Sequence, residues 1–404
     1  MEIDGICIIG DEMMSTHKYR REETGMILIT VLLLLSLLMA AGMGAAMSVR
    51  NNFRMTANLR SGMAASSLAD AGLEWGKQQI ALAMTMPPIL AGGKHDMQPG
   101  AYSVSVLSST QINPLSARVV LTSLGLVNNA SQSVQAMISK TYDLADGALA
   151  LRGKARGINF FGSSFTISGS DHDLTTGAAL PATRPRIGVS VETIGLLDQV
   201  NDALDNSQKR IIAGDDGRGA AIATSDRLAA NDVARIASEL CAAPNAAVSM
   251  LPAAGNLAVL NHAWGSRLAP ELHCVNGLPG SGDFVMFGPN SGGAGILVIR
   301  DAEVVLSGDF HWEGLVIVSG DDVGFRVENA ADKDILGALI IQESGNATGS
   351  GPALLDIQGS LRVRFSRTAL NLLAAPLLPP ATLSSSYAAL PFALTQEYWR
   401  SISP

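Results

Sequence analysis

The hydrophobic pattern near the start of the chain is an uninterrupted apolar run from Met26 to Met47. These 22 residues carry no charge, and as a helix they would be about 33 Å long, enough to cross the hydrocarbon core of a membrane. A run of this length is rare in the buried helices of soluble domains. A cleaved secretory signal is one alternative, because the small residues at 44–46 could serve as its cleavage site, and a plain signal anchor is another.

The helical pattern continues beyond the apolar run, and no proline interrupts it before residue 84. Ala64, Leu68, Ala71 and Trp75 recur at spacings of three or four residues, which predicts an apolar stripe on an otherwise polar helix. The whole predicted helix spans 26–84 and would be about 90 Å long. Its first half suits a membrane, and its second half suits packing against protein.

Beyond the helix the pattern changes to short alternating runs that are typical of β-strands. Three of these runs predict a small antiparallel sheet within residues 85–145, packed on the second half of the helix: 101–107, 117–124 and 131–139. Two later amphipathic runs, 193–206 and 226–240, predict helices inserted between strands. The part of the chain up to residue 145 therefore has the pattern of one long helix and one small sheet.

The strongest internal regularity is a repeat late in the chain. GILVIR at 295–300, GLVIVS at 314–319 and GALIIQ at 337–342 are alike, and short apolar runs bounded by glycine or aspartate lie between them. Two short strands in about 20 residues are typical of a β-solenoid, and a sandwich or a set of hairpins is the alternative. The sequence predicts an α+β fold in which residues 146–404 form a Gly-rich β domain, solenoid-like over 295–366 and with helical insertions.

Charge and motifs narrow the classes of function. Lys and Arg number 28 and Asp and Glu number 36, so the net charge is −8. This balance argues against a nucleic-acid partner bound through a basic face. The chain contains no P-loop, GxSxG, HExxH or C-x-x-C motif, and these are the patterns that would indicate common nucleotide, hydrolase or metal chemistry. We therefore expect no cofactor and no enzyme activity.

The polar cluster Asp171-His172-Asp173 is the main candidate for chemistry. Its carboxylates and imidazole could ligate calcium or zinc, or could exchange protons with a substrate. Adjacent residues on a strand point to opposite sides, so three consecutive ligands converge poorly. Asp171 and Asp173 are retained as metal-ligand candidates, and a solvated turn is the alternative.

Cys241 and Cys274 are candidates for a disulfide bond. The only other cysteine is Cys7, which the protein would lack if Met13 or Met14 is its true start. An even pair favours a bond in an oxidising compartment, and closing a loop of about 34 residues would stabilise the fold by roughly 3–4 kcal/mol. Two buried free thiols are the alternative.

The segments around the apolar run show a further pattern. A basic leader ends in Gly25, the apolar helix follows directly, and the helix continues into NNFRMTANLRSGMAASSLADAGLEWG. This order resembles the N-terminal region of PilX-type minor pilins. The later segments GILVI, SGDFHWEGLVIVSG and GALII, together with the closing EYWR, resemble the C-terminal region of larger members of that family.

The resemblance implies a maturation route and a set of partners. A prepilin peptidase would remove the leader at 1–25 by cleaving after Gly25, and Met26 would become the methylated first residue. Thr30 stands at the fifth mature position, where major pilins carry Glu, which implies an accessory subunit. The implied partners are the major pilin and other minor pilins. The implied location is the inner membrane, with the C-terminal part in the periplasm, and the pilus or the cell surface after assembly.

Two other functions remain open at this stage. One is a membrane-anchored β-solenoid that binds or cleaves extracellular glycan. The other is the large subunit of a type II secretion pseudopilus tip, which also lacks the Glu but is usually largely helical in its globular part. Cleavage after Gly25 would distinguish a pilin-like protein from an anchored glycan-binding protein, because only a prepilin peptidase cuts on the cytoplasmic side of the apolar run.

Overall fold

The computed structural model of this protein describes residues 23–83, 88, 92–113, 115–181, 183–251, 255–345, 351–378, 390 and 392–402. Most of the expected leader, with Cys7, Met13 and Met14, lies outside the described residues. The described part contains a long N-terminal helix, one antiparallel sheet and two sheets of parallel strands. The expected α+β class is therefore confirmed.

The helical segments in chain order are α1 (Glu23–Leu82), α2 (Ile194–Ala203), α3 (Asn206–Arg210), α4 (Ala230–Cys241) and α5 (Arg367–Ala369), the last continued by a π-helical turn (Leu370–Ala374) and a 3₁₀ turn (Ala375–Leu377). The strands in chain order are β1 (Gly93–Met97), β2 (Gly100–Asn113), β3 (Ser116–Val127), β4 (Ala130–Tyr142), β5 (Gly147–Gly153), β6 (Ile158–Phe160), β7 (Phe165–Ser168), β8 (Ile187–Val191), β9 (Ile212–Ala213), β10 (Ile222–Thr224), β11 (Ala246–Met250), β12 (Asn256–Val259), β13 (Ala263–Trp264), β14 (Glu271–Asn276), β15 (Phe284–Phe287), β16 (Ser291–Arg300), β17 (Glu303–Leu306), β18 (Phe310–Gly320), β19 (Gly324–Val327), β20 (Lys333–Glu343), β21 (Leu355–Ile357), β22 (Leu361–Phe365) and β23 (Phe392–Ile402).

Helix α1 packs its second half on the antiparallel sheet, but its buried face is displaced from the predicted stripe. Leu68 is buried as expected, whereas Ala64, Ala71 and Trp75 are only half-buried. The other buried positions follow one helical face through small and glycine residues: Ala65, Ala69, Gly72, Leu73, Gly76 and Ile80. The pattern of apolar side chains missed this face because glycine contributes no side chain to it.

Glycine residues allow α1 to lie close to the sheet. A side chain at Gly72 would overlap Ser123, and the Cβ of a residue at Gly76 would lie 2.7 Å from Leu121 Cδ1. On the sheet side, a Cβ at Gly125 would overlap the backbone of Ala65. Helix and sheet therefore pack backbone against backbone at this point, and larger residues would separate them.

The antiparallel sheet has the strand order β1-β2-β3-β4-β23. Three of its strands correspond to the predicted runs, each extended by several residues. The fifth strand comes from the end of the chain, because β23 pairs with β4 along most of its length. Residues 392–402 therefore lie in the small sheet, although the sequence division placed them with residues 146–404.

The two parallel sheets share one arrangement. From β14 to β21 the chain alternates between them, and each strand pairs in parallel with the next strand of the same sheet. The register aligns the sequence repeats, so that Leu297, Val316 and Leu339 lie side by side. All three side chains are buried, which confirms that they hold equivalent positions in the repeat.

The strand order in the larger parallel sheet differs from the chain order. Strand β5 pairs with β20, and in the smaller sheet β6 pairs with β21. The first strand of the larger sheet, β5, therefore lies beside β20, although the two are far apart in the sequence. From β5 the chain continues through β8 to β10 at one edge of the sheet, and α4 then carries it to β11 at the opposite edge. Helix α4 contacts β14, β16, β18 and β20, so it crosses the sheet on its way. The two predicted inserted helices are present as α2 and α4, with shorter bounds.

A column of glycines crosses the larger parallel sheet. Gly295, Gly314 and Gly337 are neighbours in register, with φ of +124°, +124° and +148°. A Cβ at Gly314 would overlap the carbonyl oxygen of Gly295, and one at Gly337 would overlap that of Gly314. Residues before the column pair with β13 and β22, and residues after it pair with β14 and β5. The repeated glycine therefore marks the point where each strand changes its neighbours.

Candidate functional site

The first half of α1 is a long apolar surface that no other described part of the chain covers. Every side chain in the range 26–60 is exposed, and the range contains no acidic residue. The helix is long and apolar enough to cross a membrane, and none of its most apolar window is buried. At the end of this range Arg50, Arg54 and Arg60 are exposed. An exposed apolar surface of this size is typical of a segment that contacts lipid or another apolar surface.

The predicted processing residues lie in the first turns of α1. Gly25 is part of the helix, and the side chain of Met26 is exposed. The hydroxyl of Thr30 donates to the carbonyl oxygens of Met26 and Ile27, at 2.8 and 3.0 Å. A hydroxyl that bonds its own helix needs no partner from water. Position five of the expected mature chain therefore carries a satisfied polar group in place of a charge.

The other end of α1 is held by a buried lysine that the sequence analysis missed. Lys140 Nζ donates to the carbonyl oxygens of Ile80, Ala81 and Ala83, at 2.9, 3.0 and 2.6 Å. The last carbonyls of a helix have no partner within the helix and carry its negative end, so a cation is stabilising there. The last turn of α1 contains no basic residue, and Lys140 supplies this charge from β4.

The alternation of β4 contains the signal for this lysine. Val134, Ala136 and Ile138 are buried toward α1, and Lys140 continues the same alternation. Extending the predicted strand by one residue would have placed Lys140 on the buried face. Burial lowers the pKa of the Lys140 ammonium group from 10.5 to about 8.

Aromatic side chains also contact the end of α1 and the ammonium group of Lys140. Tyr142 donates its hydroxyl to the carbonyl oxygen of Ala83 at 3.1 Å. Lys140 Nζ lies 4.8 Å from the ring centroid of Tyr142 and 4.7 Å from that of Phe392, within the range of cation–π attraction. Phe392 is the first residue of β23. The end of α1, strand β4 and the last strand therefore meet around one ammonium group.

Asp171 and Asp173 are both engaged by neighbouring protein groups. The carboxylate of Asp171 is buried and accepts from the backbone N–H of Arg367 at 2.8 Å and from its Nη1 at 3.3 Å. Asp173 accepts from the backbone N–H groups of Thr175 and Thr176, at 3.0 and 2.8 Å. Hydrogen bonds from Thr176 hold the pKa of Asp173 below its usual value. Both side chains thus stabilise local structure, and the turn suggested by the sequence is present at Asp173.

The described residues contain no group of three or more His, Cys, Asp or Glu side chains placed to hold a metal ion. The imidazole of His172 lies against backbone oxygens, with its Nδ1 at 2.6 Å from the carbonyl of Ser170 and 3.1 Å from that of Phe365. The cluster 171–173 therefore does not direct its three side chains toward a shared point.

The two cysteine candidates are brought together. The structure joins Cys241, the last residue of α4, to Cys274 in β14, with their Cα atoms 5.6 Å apart. This separation lies within the usual range for disulfides. Because α4 carries the chain from one end of the parallel sheet to the other, the bond fixes this crossing helix to the sheet it spans.

Comparisons with known proteins add little to these observations. No protein-family model matches the sequence, and none of the curated proteins is significantly similar to it. Among solved structures, the competence-associated pilin ComZ from Thermus thermophilus is similar over 85% of this chain and 97% of its own, with 12% sequence identity and a TM-score of 0.28. A structural similarity this low shows neither the fold nor the function of this chain.

Proposed function

We propose that this chain is a minor pilin-like subunit, anchored in the inner membrane and assembled into a type IV pilus through the same helix. The observation that supports the proposal most strongly is that the two halves of α1 have different surroundings. Residues 26–60 are exposed and lack acidic side chains, whereas the buried residues from Ala65 to Ile80 pack on the antiparallel sheet. Lipid would cover the apolar run 26–47 before assembly, and the helices of the major pilin and other minor pilins would cover the exposed half in the filament.

The maturation route belongs to the same proposal. A prepilin peptidase would cleave after Gly25, and Met26 would become the methylated N-terminus. The uncharged Thr30 at mature position five, where major pilins carry Glu, supports an accessory subunit of the PilX type, and its hydroxyl is bonded within the helix. The region beyond α1 has a modest share of charged residues and would reach the periplasm, since large domains translocate largely regardless of charge.

We also propose that the parallel strands form a β-solenoid that acts without catalysis. The parallel register from β14 to β21 and its agreement with the sequence repeats support this interpretation. Asp171 is engaged with Arg367 and Asp173 with its own turn. The domain would thus contribute a folded surface to the pilus, and the only bond chemistry required would be maturation at Gly25.

The test is the mature N-terminus in cells with a working pilus system. Mass spectrometry of the native protein should find a chain that begins at Met26 and carries an N-methyl group. Gly25→Val should block this cleavage while membrane insertion persists, because the apolar helix is unchanged. Gly42→Val is a matched control, since Gly42 is exposed on the same helix with open space around it, and it should leave cleavage intact.

Two outcomes would overturn the proposal. A mature chain that begins after Ala46 would identify a cleaved secretory signal. An intact leader in cells that process their major pilin would identify a plain signal anchor. Protease added to spheroplasts should degrade the domain beyond α1, and full protection of that domain would contradict the periplasmic location.

A further inference from the structure

A polar cleft of about 660 Å³ lies at one edge of the larger parallel sheet, where β10 is the edge strand and β8 is its neighbour. Its volume is within the usual range for ligand sites. The wall includes four arginines, Arg184, Arg186, Arg218 and Arg227, which define what we call the arginine cleft. Phe392, the first residue of β23, also lines it, so the cleft is built where the antiparallel and parallel sheets meet.

Three of these arginines form no ion pair with the side chains of the described residues. Arg184, Arg218 and Arg227 are exposed, and their guanidinium groups form no hydrogen bond or ion pair with any described residue. Arg227 contacts the ring of Phe392, with its Cζ 5.9 Å from the centroid. A guanidinium presents a planar set of donors that matches a carboxylate in two parallel hydrogen bonds. These donors are therefore available to a ligand.

Most carboxylates in the wall are already engaged. Asp215 Oδ1 accepts from the backbone N–H groups of Gly217 and Gly219, at 2.7 and 2.8 Å. Asp216 makes the same kind of turn with two later N–H groups, and these hydrogen bonds lower its pKa. Asp146 is buried and accepts from Arg152 Nη2 at 2.6 Å. The loop that carries Arg218 is thus held in shape by its own aspartates.

The back wall contains Arg186, whose partly buried charge is balanced within the protein. Arg186 pairs with the buried carboxylate of Asp143, while its Nε has no hydrogen-bond partner among the described residues. Burial, together with the charges of Arg367 and Arg227, lowers the pKa of Arg186 to about 10. Asp143 also pairs with Arg367, so Arg186 shapes the wall and the exposed arginines supply the charge for a ligand.

We propose that the arginine cleft binds an anionic glycan through sugar carboxylates. Arg184, Arg218 and Arg227 would pair with the carboxylates. The hydroxyls of Thr224 and Ser225 and the carboxylate of Asp226, which also line the cleft, would bond the sugar hydroxyls. Uronate chains carry both kinds of group. A polyphosphate backbone fits less well for two reasons. It offers few hydroxyl donors to the aspartates of the wall, and the net charge of the protein, −8, repels a polyanion.

The test measures binding by the full chain, purified in detergent, with titration calorimetry. The probe is trigalacturonic acid, and its methyl ester is the neutral counterpart with the same hydroxyls. Trigalacturonic acid should bind, and its methyl ester should bind about tenfold more weakly. The double variant Arg184→Ala/Arg218→Ala should weaken binding of the acid to a similar extent, because both side chains are exposed and their loss leaves the fold intact.

A matched control separates the cleft from overall charge. The double variant Arg60→Ala/Arg300→Ala removes two arginines that do not line the cleft, and it should leave binding of the acid unchanged. The inference is independent of the pilin proposal, since maturation at Gly25 and ligand binding are measured separately. It would be overturned by absence of binding, by equal binding of the methyl ester, by an unaffected double variant, or by a DNA duplex that binds the cleft more tightly than the acid.

Discussion

Lys140 Nζ donates to the carbonyl oxygen of Ile80 over 2.9 Å, and this hydrogen bond joins the last turn of α1 to strand β4. Two further carbonyls, of Ala81 and Ala83, accept from the same ammonium group. Because α1 also carries the exposed apolar half, these hydrogen bonds hold the helix to the domain close to its C-terminal end.

Replacing Lys140 with Met should lower the free energy of unfolding by about 2–3 kcal/mol, because hydrogen bonds to a charged group are lost and carbonyls at the helix end are left without a donor. Circular dichroism of the full chain in detergent during urea unfolding would measure the change. Lys94→Met is the control, since Lys94 is exposed and its ion pair with Asp96 is on the surface. Equal stability of the two variants would contradict the role of Lys140.

The stability conferred by Lys140 should depend on pH. Its pKa is lowered to about 8 in the folded protein, below the value near 10.5 in the unfolded chain, so the folded state binds fewer protons between these values. The free energy of unfolding of the wild type, relative to Lys140→Met, should therefore rise with pH across that window, by at most about 1.4 kcal/mol per unit. The cost of burying the charge is fully present below pH 8. Urea unfolding of both proteins at pH 7 and 9.5 would check the sign, and a fall with pH would contradict it.

The sequence predicted those parts of the fold that depend on local periodicity. The bounds of α1, the first strands of the antiparallel sheet and the repeated strands around Leu297 follow from spacings within a few residues. The return of β23 to β4 and the pairing of β5 with β20 join distant segments, and no local pattern encodes such pairing. The buried face of α1 was predicted at the wrong positions for a different reason. Gly72 and Gly76 lie on that face but carry no apolar side chain that would indicate it in the sequence.

Gly314→Ala should lower the free energy of unfolding by roughly 3–5 kcal/mol. Gly314 has φ of +124°, and a Cβ there would overlap the carbonyl oxygen of Gly295 in the neighbouring strand. The control is Gly282→Ala, at φ of +71° with open space around it, which should cost about 1 kcal/mol for the backbone conformation alone. Thermal unfolding of both variants measures the difference, and equal losses would show that the glycine column does not require close approach.

Parts of the candidate site were predictable and parts were not. The exposed apolar half of α1 follows from the sequence order. Lys140 could have been found from the alternation of β4. The arginine cleft could not, because Arg184 and Arg218 are separated in the sequence by two helices and become neighbours only through the pairing of β8 with β10.

Thiol labelling should detect one protected pair, Cys241 and Cys274. In the unfolded chain without reductant neither should react, and after reduction both should. The double variant Cys241→Ser/Cys274→Ser should unfold with a free energy lower by roughly 3 kcal/mol, because the bond closes a long loop of the unfolded chain. Mass spectrometry of labelled peptides provides the measurement. Alkylation of both thiols in the unreduced, unfolded protein would refute the bond.

Asp171 and Asp173 should respond differently to substitution, because they occupy different surroundings. Asp171→Ala removes a buried carboxylate that bonds the backbone and side chain of Arg367, and should lower the free energy of unfolding by about 2–3 kcal/mol. Asp173→Ala acts on an exposed turn and should have a smaller effect.

Thermal unfolding of both variants, with an assay for glycan-degrading activity beside it, distinguishes structural from catalytic roles. A structural role for Asp171 predicts that lower stability accompanies its loss and that no catalytic activity is present to be lost. If both variants kept the stability of the wild type while a measurable glycan-degrading activity disappeared, the cluster would be catalytic, and the proposal that this domain acts without catalysis would be wrong.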